Sequence, residues 1–168
     1  MANLISWINI AVVFGSIVLF GAVGETLTEK AGNLNLGTPG IMCMGGAFGF
    51  VGAYLYETSV GNPNAFMCIL VALGTAFIVS ALGGLIYSFL TTTLHANQNV
   101  TGLTLTIFGV GLGKFFGTYV IPKGAVSTKA DFATKIFRAR IPFLSDKLGV
   151  VGDILFSYGF MMYLALIV

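Results

Sequence analysis

Two short polar segments lie between long apolar runs and could contact a polar, uncharged solute. The first contains Asn33 and Asn35, with two carboxylates upstream and Gly37 and Gly40 downstream. Non-helical backbone is tolerated at membrane depth where it lines a cavity, and Gly/Pro interruptions of apolar segments are typical of transporter binding sites. The segment therefore predicts a solute site, and a plain solvated loop between two helices is the alternative interpretation.

The second polar segment runs from Asn97 to Thr106, and Gln98, Thr101 and Thr104 follow one another in it at three-residue spacing. Residues three apart share one face of a helix, so their amide and hydroxyl groups could contact the same solute. The alternative is an N-terminal helix cap with hydroxyls that bond back to their own helix.

The remaining polar groups do not form a catalytic or metal-binding pattern. Lys114 lies in an otherwise apolar run, which suggests a function at membrane depth, unless its side chain extends to the nearby interface. His95 is the only histidine, and Cys43 and Cys68 both lie in apolar runs, where buried, unpaired thiols are expected. The sequence contains no P-loop and no GxSxG motif. It predicts neither an enzyme nor a metal site.

The elements that hold these segments are predicted to be membrane-spanning helices. Of the 168 residues, 57% are hydrophobic and 8% are charged, whereas a soluble domain carries about 25% charged residues. Continuous apolar runs, rather than ten-residue alternation, favour helices over a barrel. We predict an all-α integral membrane protein with about five spans, at 4–23, 39–56, 65–90, 100–120 and 152–168, and a hydrophilic loop at 122–150.

Small residues at four-residue spacing predict close packing between these helices. Gly109 and Gly113 form a GxxxG step in the fourth run, and Gly45 and Gly49 form one in the second. The last apolar run is short for a span, and no polar residue follows it. We therefore expect the sequence to be truncated, as the N-terminal part of a larger bundle.

Three motifs carry a resemblance to a known family. They read GETLTEKAGNLNLGTPG at 24–40, with a Gly/Met-rich run after it, NQNVTGLTLTIFGVGL at 97–112, and IPFLSD at 141–146. In this order they resemble inner-membrane permeases of ATP-binding cassette importers. The group is that of the branched-chain amino acid, simple-sugar and nucleoside permeases, and the nucleoside/simple-sugar branch is the most similar.

The resemblance implies a role and a set of partners. Two permease subunits would form the pathway for nucleosides, simple sugars or related small solutes across the inner (plasma) membrane. Cytoplasmic ATPase subunits would hydrolyse ATP, and an extracytoplasmic binding protein would deliver the substrate. The chain itself would need no cofactor, and no basic run suggests nucleic acid. The alternative is a small stand-alone membrane protein, a channel or scaffold, without ATPase coupling.

Two groups of site residues follow from the motifs and the polar segments. The candidates near the substrate path are Asn33, Asn35, Asn97, Gln98, Thr101 and Thr104. The glycines assigned to backbone shape and close packing are Gly37, Gly40, Gly45, Gly46, Gly109 and Gly113. The sequence leaves the roles of Glu25 and Glu29 open.

Two arguments about membrane orientation disagree. The loop Pro122–Val150 holds six Lys/Arg and two Asp, a net charge of +4, so the positive-inside rule places it in the cytoplasm. The family pattern places this loop outside. We favour the second argument because the motifs are more specific, and four crossings then put the N-terminus outside as well.

Overall fold

The computed structural model describes residues 2–119, 131–137 and 158–167, and these residues form helices without strands. The all-α fold class is therefore confirmed. The helices are α1 (Ala2–Lys30), α2 (Thr38–Ser59), α3 (Ala65–Ser88), which continues as a π-helix (Phe89–Thr93), α4 (Gln98–Tyr119), α5 (Asp131–Phe137) and α6 (Phe160–Ile167).

Four apolar segments are long enough to cross a membrane, and they correspond to the first four predicted spans. They are Ser6–Lys30, Thr38–Ser59, Ala65–Thr93 and Gln98–Tyr119. Helix α6 lies within the predicted fifth span at 152–168. Helix α5 lies within the predicted hydrophilic loop at 122–150. The motif at 141–146 lies outside the described residues.

Helix α1 continues well beyond its predicted end at Val23, because much of the polar stretch that follows consists of helix-forming residues. The helix ends at Lys30, and two residues later Gly32 has a φ of 83°, the left-handed conformation that glycine adopts readily. The N–H groups of Gly32 and Asn33 donate to the carbonyls of Glu29 (2.9 Å) and Thr28 (3.0 Å). This pair of bonds is a Schellman motif, which satisfies carbonyls in the last turn of the helix.

Helix α2 packs against both α3 and α4, which contact each other much less. Its glycines allow the close approach on both sides. A Cβ built on Gly49 would lie 3.1 Å from the carbonyl oxygen of Ala72 in α3, and one built on Gly40 would lie 2.5 Å from Thr106 Cα in α4. Further along α4, a Cβ on Gly113 would lie 3.0 Å from Cys43 Sγ. The small residues thus position α2 between its two neighbours, as expected for membrane helices.

The end of α3 is irregular. After the π-helix, the N–H of Ala96 donates to Leu90 O (3.0 Å), and the exposed His95 between them has a φ of 52°. This conformation is uncommon for a residue other than glycine, although histidine is among the residues that adopt it. The turn reverses the chain, so that α4 begins beside the end of α3.

A second compact unit contains Met1–Val23 and Thr134–Val168, whereas Gly24–Ala133 forms the first. Within this second unit the hydroxyl of Tyr158 donates to Asn9 Oδ1 (3.0 Å), and the rings of Phe137 and Phe160 stack at 5.8 Å. The candidate site residues all belong to the Gly24–Ala133 unit.

Candidate functional site

The segment that connects α1 to α2, residues 31–37, is here called the linker loop. It lies against α4, where a Cβ on Gly102 would be 2.8 Å from the backbone nitrogen of Leu36. Thr106 donates its hydroxyl proton to Leu36 O (2.7 Å). Since Thr106 lies about 12 Å along the axis from the first residue of α4, at 1.5 Å per residue, the linker loop runs beside the first two turns of a spanning helix.

Side chains from α3 and α4 satisfy the backbone of the linker loop. The hydroxyl of Tyr87 donates to Leu34 O (2.7 Å), and Gln98 Oε1 accepts the N–H of Leu34 (3.0 Å). Gln98 Nε2 also donates to Asn33 Oδ1 (3.0 Å). Non-helical backbone in a membrane protein requires such partners, because hydrocarbon supplies none.

On the α1 side, the linker loop is held by Glu25. Its Oε1 accepts the N–H of Asn35 (2.9 Å), and its Oε2 accepts the hydroxyl of Thr38 (2.7 Å). The buried Asn35 turns its own side chain onto the next residues, where Oδ1 accepts the N–H of Gly37 (2.9 Å). The carboxylate that the sequence left without a role therefore belongs to the same network as the predicted asparagines.

The other three polar candidates lie on the first turns of α4. Asn97 Oδ1 accepts the N–H groups of Asn99 (3.0 Å) and Val100 (3.2 Å), so this residue caps the helix. The exposed Thr104 donates to Val100 O (2.8 Å), and the half-buried Thr101 donates its N–H to Asn97 O (3.0 Å). The cap at Asn97 and the hydroxyl bond of Thr104 match the alternative interpretation of a helix start with a hydroxyl that bonds back, whereas the Thr101 bond is an ordinary backbone bond of the helix.

The assigned glycines differ in what surrounds them. A Cβ on Gly37 would lie 2.9 Å from Asn35 Oδ1, and one on Gly45 would overlap Ser80 Oγ. Gly40, Gly109 and Gly113 lie in the contact between α2 and α4. In contrast, a Cβ on Gly46 would have no heavy atom within 4 Å, so this part of the structure gives Gly46 no packing partner.

Four residues of the network were not among the candidates from sequence. They are Glu25, Thr38, Tyr87 and Thr106. A carboxylate within the last turns of an apolar helix is itself a functional signal at membrane depth, and that signal was present for Glu25. No sequence pattern links Tyr87 or Thr106 to a segment more than fifty residues away.

The site is a network of amides, hydroxyls and one carboxylate. Among the residues that the structure describes, no three His, Cys, Asp or Glu side chains come together as metal ligands. Lys114 is exposed on α4, near the end of the helix away from the linker loop. The arrangement can hold an irregular backbone among spanning helices and present amide and hydroxyl groups to a polar solute.

Comparison with known proteins gives a consistent result. A family described as branched-chain amino acid transport system / permease component matches residues 6–168. A putative glucose ABC transporter permease of Haloferax volcanii is 34% identical over 111 residues, which are 66% of this chain and 31% of that protein. A guanosine ABC transporter permease of Bacillus subtilis and a nucleoside ABC transporter permease of Lactococcus lactis are each 23% identical over 145 residues, 86% of this chain and 43% of theirs. No solved structure matches.

Proposed function

The chain belongs to the branched-chain amino acid transport system permease family, and from this membership we infer that it forms part of the solute pathway of an ATP-driven importer. The proposed substrates are nucleosides, simple sugars or related small polar solutes. The chain is a multi-pass membrane protein, since four of its helices are long and apolar enough to span a bilayer.

The observation that carries this proposal is the family match along nearly the whole chain. The substrate class rests on the glucose and nucleoside permeases to which the chain is similar. The linker loop adds physical support, because irregular backbone among spanning helices is typical of transporter sites. In this proposal Asn97, Thr101 and Thr104 lie near the path, whereas Asn33, Asn35 and Gln98 act through the position of the linker loop.

The aligned part of this chain spans less than half the length of the curated relatives. We propose that it supplies part of the membrane-spanning pathway of the permease. In that assembly a second permease subunit would complete the pathway, cytoplasmic ATPases would bind and hydrolyse ATP, and an extracytoplasmic protein would deliver the substrate. No cofactor is proposed for this chain.

The proposal is tested by uptake into proteoliposomes. The complete permease that carries this chain is reconstituted with its ATPase subunits and its binding protein, and labelled guanosine, adenosine and glucose are offered with and without internal ATP. We expect ATP-dependent uptake of one solute class, with competition inside that class. Uptake that is independent of ATP would favour a channel, and a lack of both uptake and ATPase association would contradict the importer.

Membrane orientation gives a second prediction. With the N-terminus outside, the linker loop and His95 face the cytoplasm, and the turn at Asn62 between α2 and α3 faces outward. In intact cells, an impermeant maleimide should label an Asn62→Cys variant, and it should label a His95→Cys variant only after permeabilisation. The parent chain, which has only the native Cys43 and Cys68, is the control for background labelling. The reverse labelling pattern would support the positive-inside assignment of the 122–150 loop.

A further inference from the structure

The residue at the N-cap position of α2 provides no side-chain cap for the first turn of the helix. Gly37 occupies the N-cap position and makes no side-chain capping bond. A helix start leaves backbone N–H groups without helical partners, and it favours a nearby negative charge. Here that charge comes from a different helix, because Glu25 of α1 accepts the hydroxyl of Thr38, the first residue of α2.

The same carboxylate determines the path of the linker loop. Through its other oxygen, Glu25 accepts the N–H of Asn35, and the Asn35 side chain in turn accepts the N–H of Gly37. The backbone from Asn35 to Thr38, in which Asn35 and Gly37 are buried, is thereby joined to α1 on one side, while α4 contacts it at Gly102 on the other. One side chain thus fixes both the end of the linker loop and the start of α2.

We propose that Glu25 is a positioning residue for transport: its carboxylate holds the linker loop against α4 and fixes where α2 begins. This proposal rests on the proposed function, because the loop is taken to lie beside the solute path. Both carboxylate oxygens of Glu25 accept hydrogen bonds from the segment 35–38, so the proposed effect on transport is exerted through the position of the loop.

A carboxylate suits this position because the N–H of Asn35 and the hydroxyl of Thr38 both donate to it. A glutamine could keep both contacts: its oxygen would accept the N–H of Asn35, and its Nε2 would donate to the hydroxyl oxygen of Thr38, whose own proton would then go to Asn35 O, 3.0 Å away. The Glu25→Gln variant therefore removes the negative charge and replaces two charge-assisted hydrogen bonds by weaker neutral ones.

Hydrogen exchange in the complete, purified permease tests the positioning role directly. In a Glu25→Gln variant, the amides of residues 33–38 should exchange about tenfold faster, the change that corresponds to replacing a hydrogen bond to a charged group by a neutral one. Glu29→Gln is the matched control, because Glu29 is exposed and lies one turn further along α1. This readout does not depend on transport, so it stands if the importer assignment fails.

A kinetic readout separates positioning from a purely structural role. At equal amounts of assembled transporter, Glu25→Gln should lower the maximal uptake rate about tenfold and leave KM within about twofold, since a positioning residue acts on the loop and not on solute binding. The Thr38→Val variant removes the hydroxyl that donates to Glu25 and keeps the carboxylate, so it replaces Glu25→Gln in this test if that variant does not assemble. In the double variant the two effects should not add, because both changes affect the same contact. Unchanged exchange in both variants, or equal effects of Glu25→Gln and Glu29→Gln, would overturn the proposal.

Discussion

Replacing Gly109 by alanine should separate α2 from α4, whereas the same change at Gly111 should leave the two helices packed. A Cβ at Gly109 would lie 2.6 Å from the carbonyl carbon of Gly40 and 2.8 Å from its Cα. Both are backbone atoms, so no side-chain rotation relieves the overlap. Overpacking of this kind lowers stability by about 1–3 kcal/mol. Here it would push α2, which begins directly after the linker loop, away from α4.

Gly111 is the matched control for this change. It lies on the same helix, and a Cβ there would have no heavy atom within 4 Å. The stability of the two variants is compared by unfolding each one in a mild detergent to which SDS is added in increasing mole fraction. The Gly109 variant should unfold at a clearly lower SDS fraction than the Gly111 variant, and equal midpoints would show that α2 and α4 are not held by this contact.

Replacing Gln98 by leucine should release the linker loop and impair transport by about tenfold, the factor that about 1.4 kcal/mol represents. Gln98 makes two hydrogen bonds to the loop, one to the N–H of Leu34 and one to the side chain of Asn33. Leucine keeps a similar size but neither accepts nor donates. A hydrogen bond of this kind contributes about 0.5–1.5 kcal/mol to stability.

Asn99→Leu is the control for the Gln98 variant, because the exposed Asn99 contributes only its backbone N–H to the cap of α4. Uptake per assembled transporter and hydrogen exchange of the linker loop are measured for both variants. Faster exchange and slower uptake are expected for Gln98→Leu alone. If both variants behave alike, the loss reflects a polar residue at the helix start and not the bond to the loop.

The spanning helices could be predicted from sequence because each is a long apolar run with few charges. The end of α1 could not, since the polarity of Glu25 and Glu29 predicts a connection between helices, although both residues are helical. Polarity alone does not distinguish a solvated loop from the last turns of a helix. The ending is set by Gly32, whose left-handed conformation becomes visible only in the folded chain.

The candidate site could be predicted only in part, because polarity identifies its residues but not their distant partners. The sequence identified Asn33, Asn35 and Gln98 by their polarity, and the structure brings all three into the network around the linker loop. It could not identify Tyr87 as the partner of the Leu34 carbonyl in the linker loop, because that bond joins residues far apart in the chain and depends on how α3 packs. Long-range hydrogen bonds of this kind follow from the packing of the helices.

The two native thiols of this bundle differ in surroundings, which gives the protein an intrinsic chemical reporter. Cys68 is completely buried, and Cys43 is half-buried at the contact of α2 with Gly113 of α4. A small, membrane-permeant alkylating reagent would therefore modify Cys43 at a rate that follows the separation of these two helices, with Cys68 as an internal reference. Movement of α2 during a transport cycle can thus be followed by alkylation of the unmodified sequence.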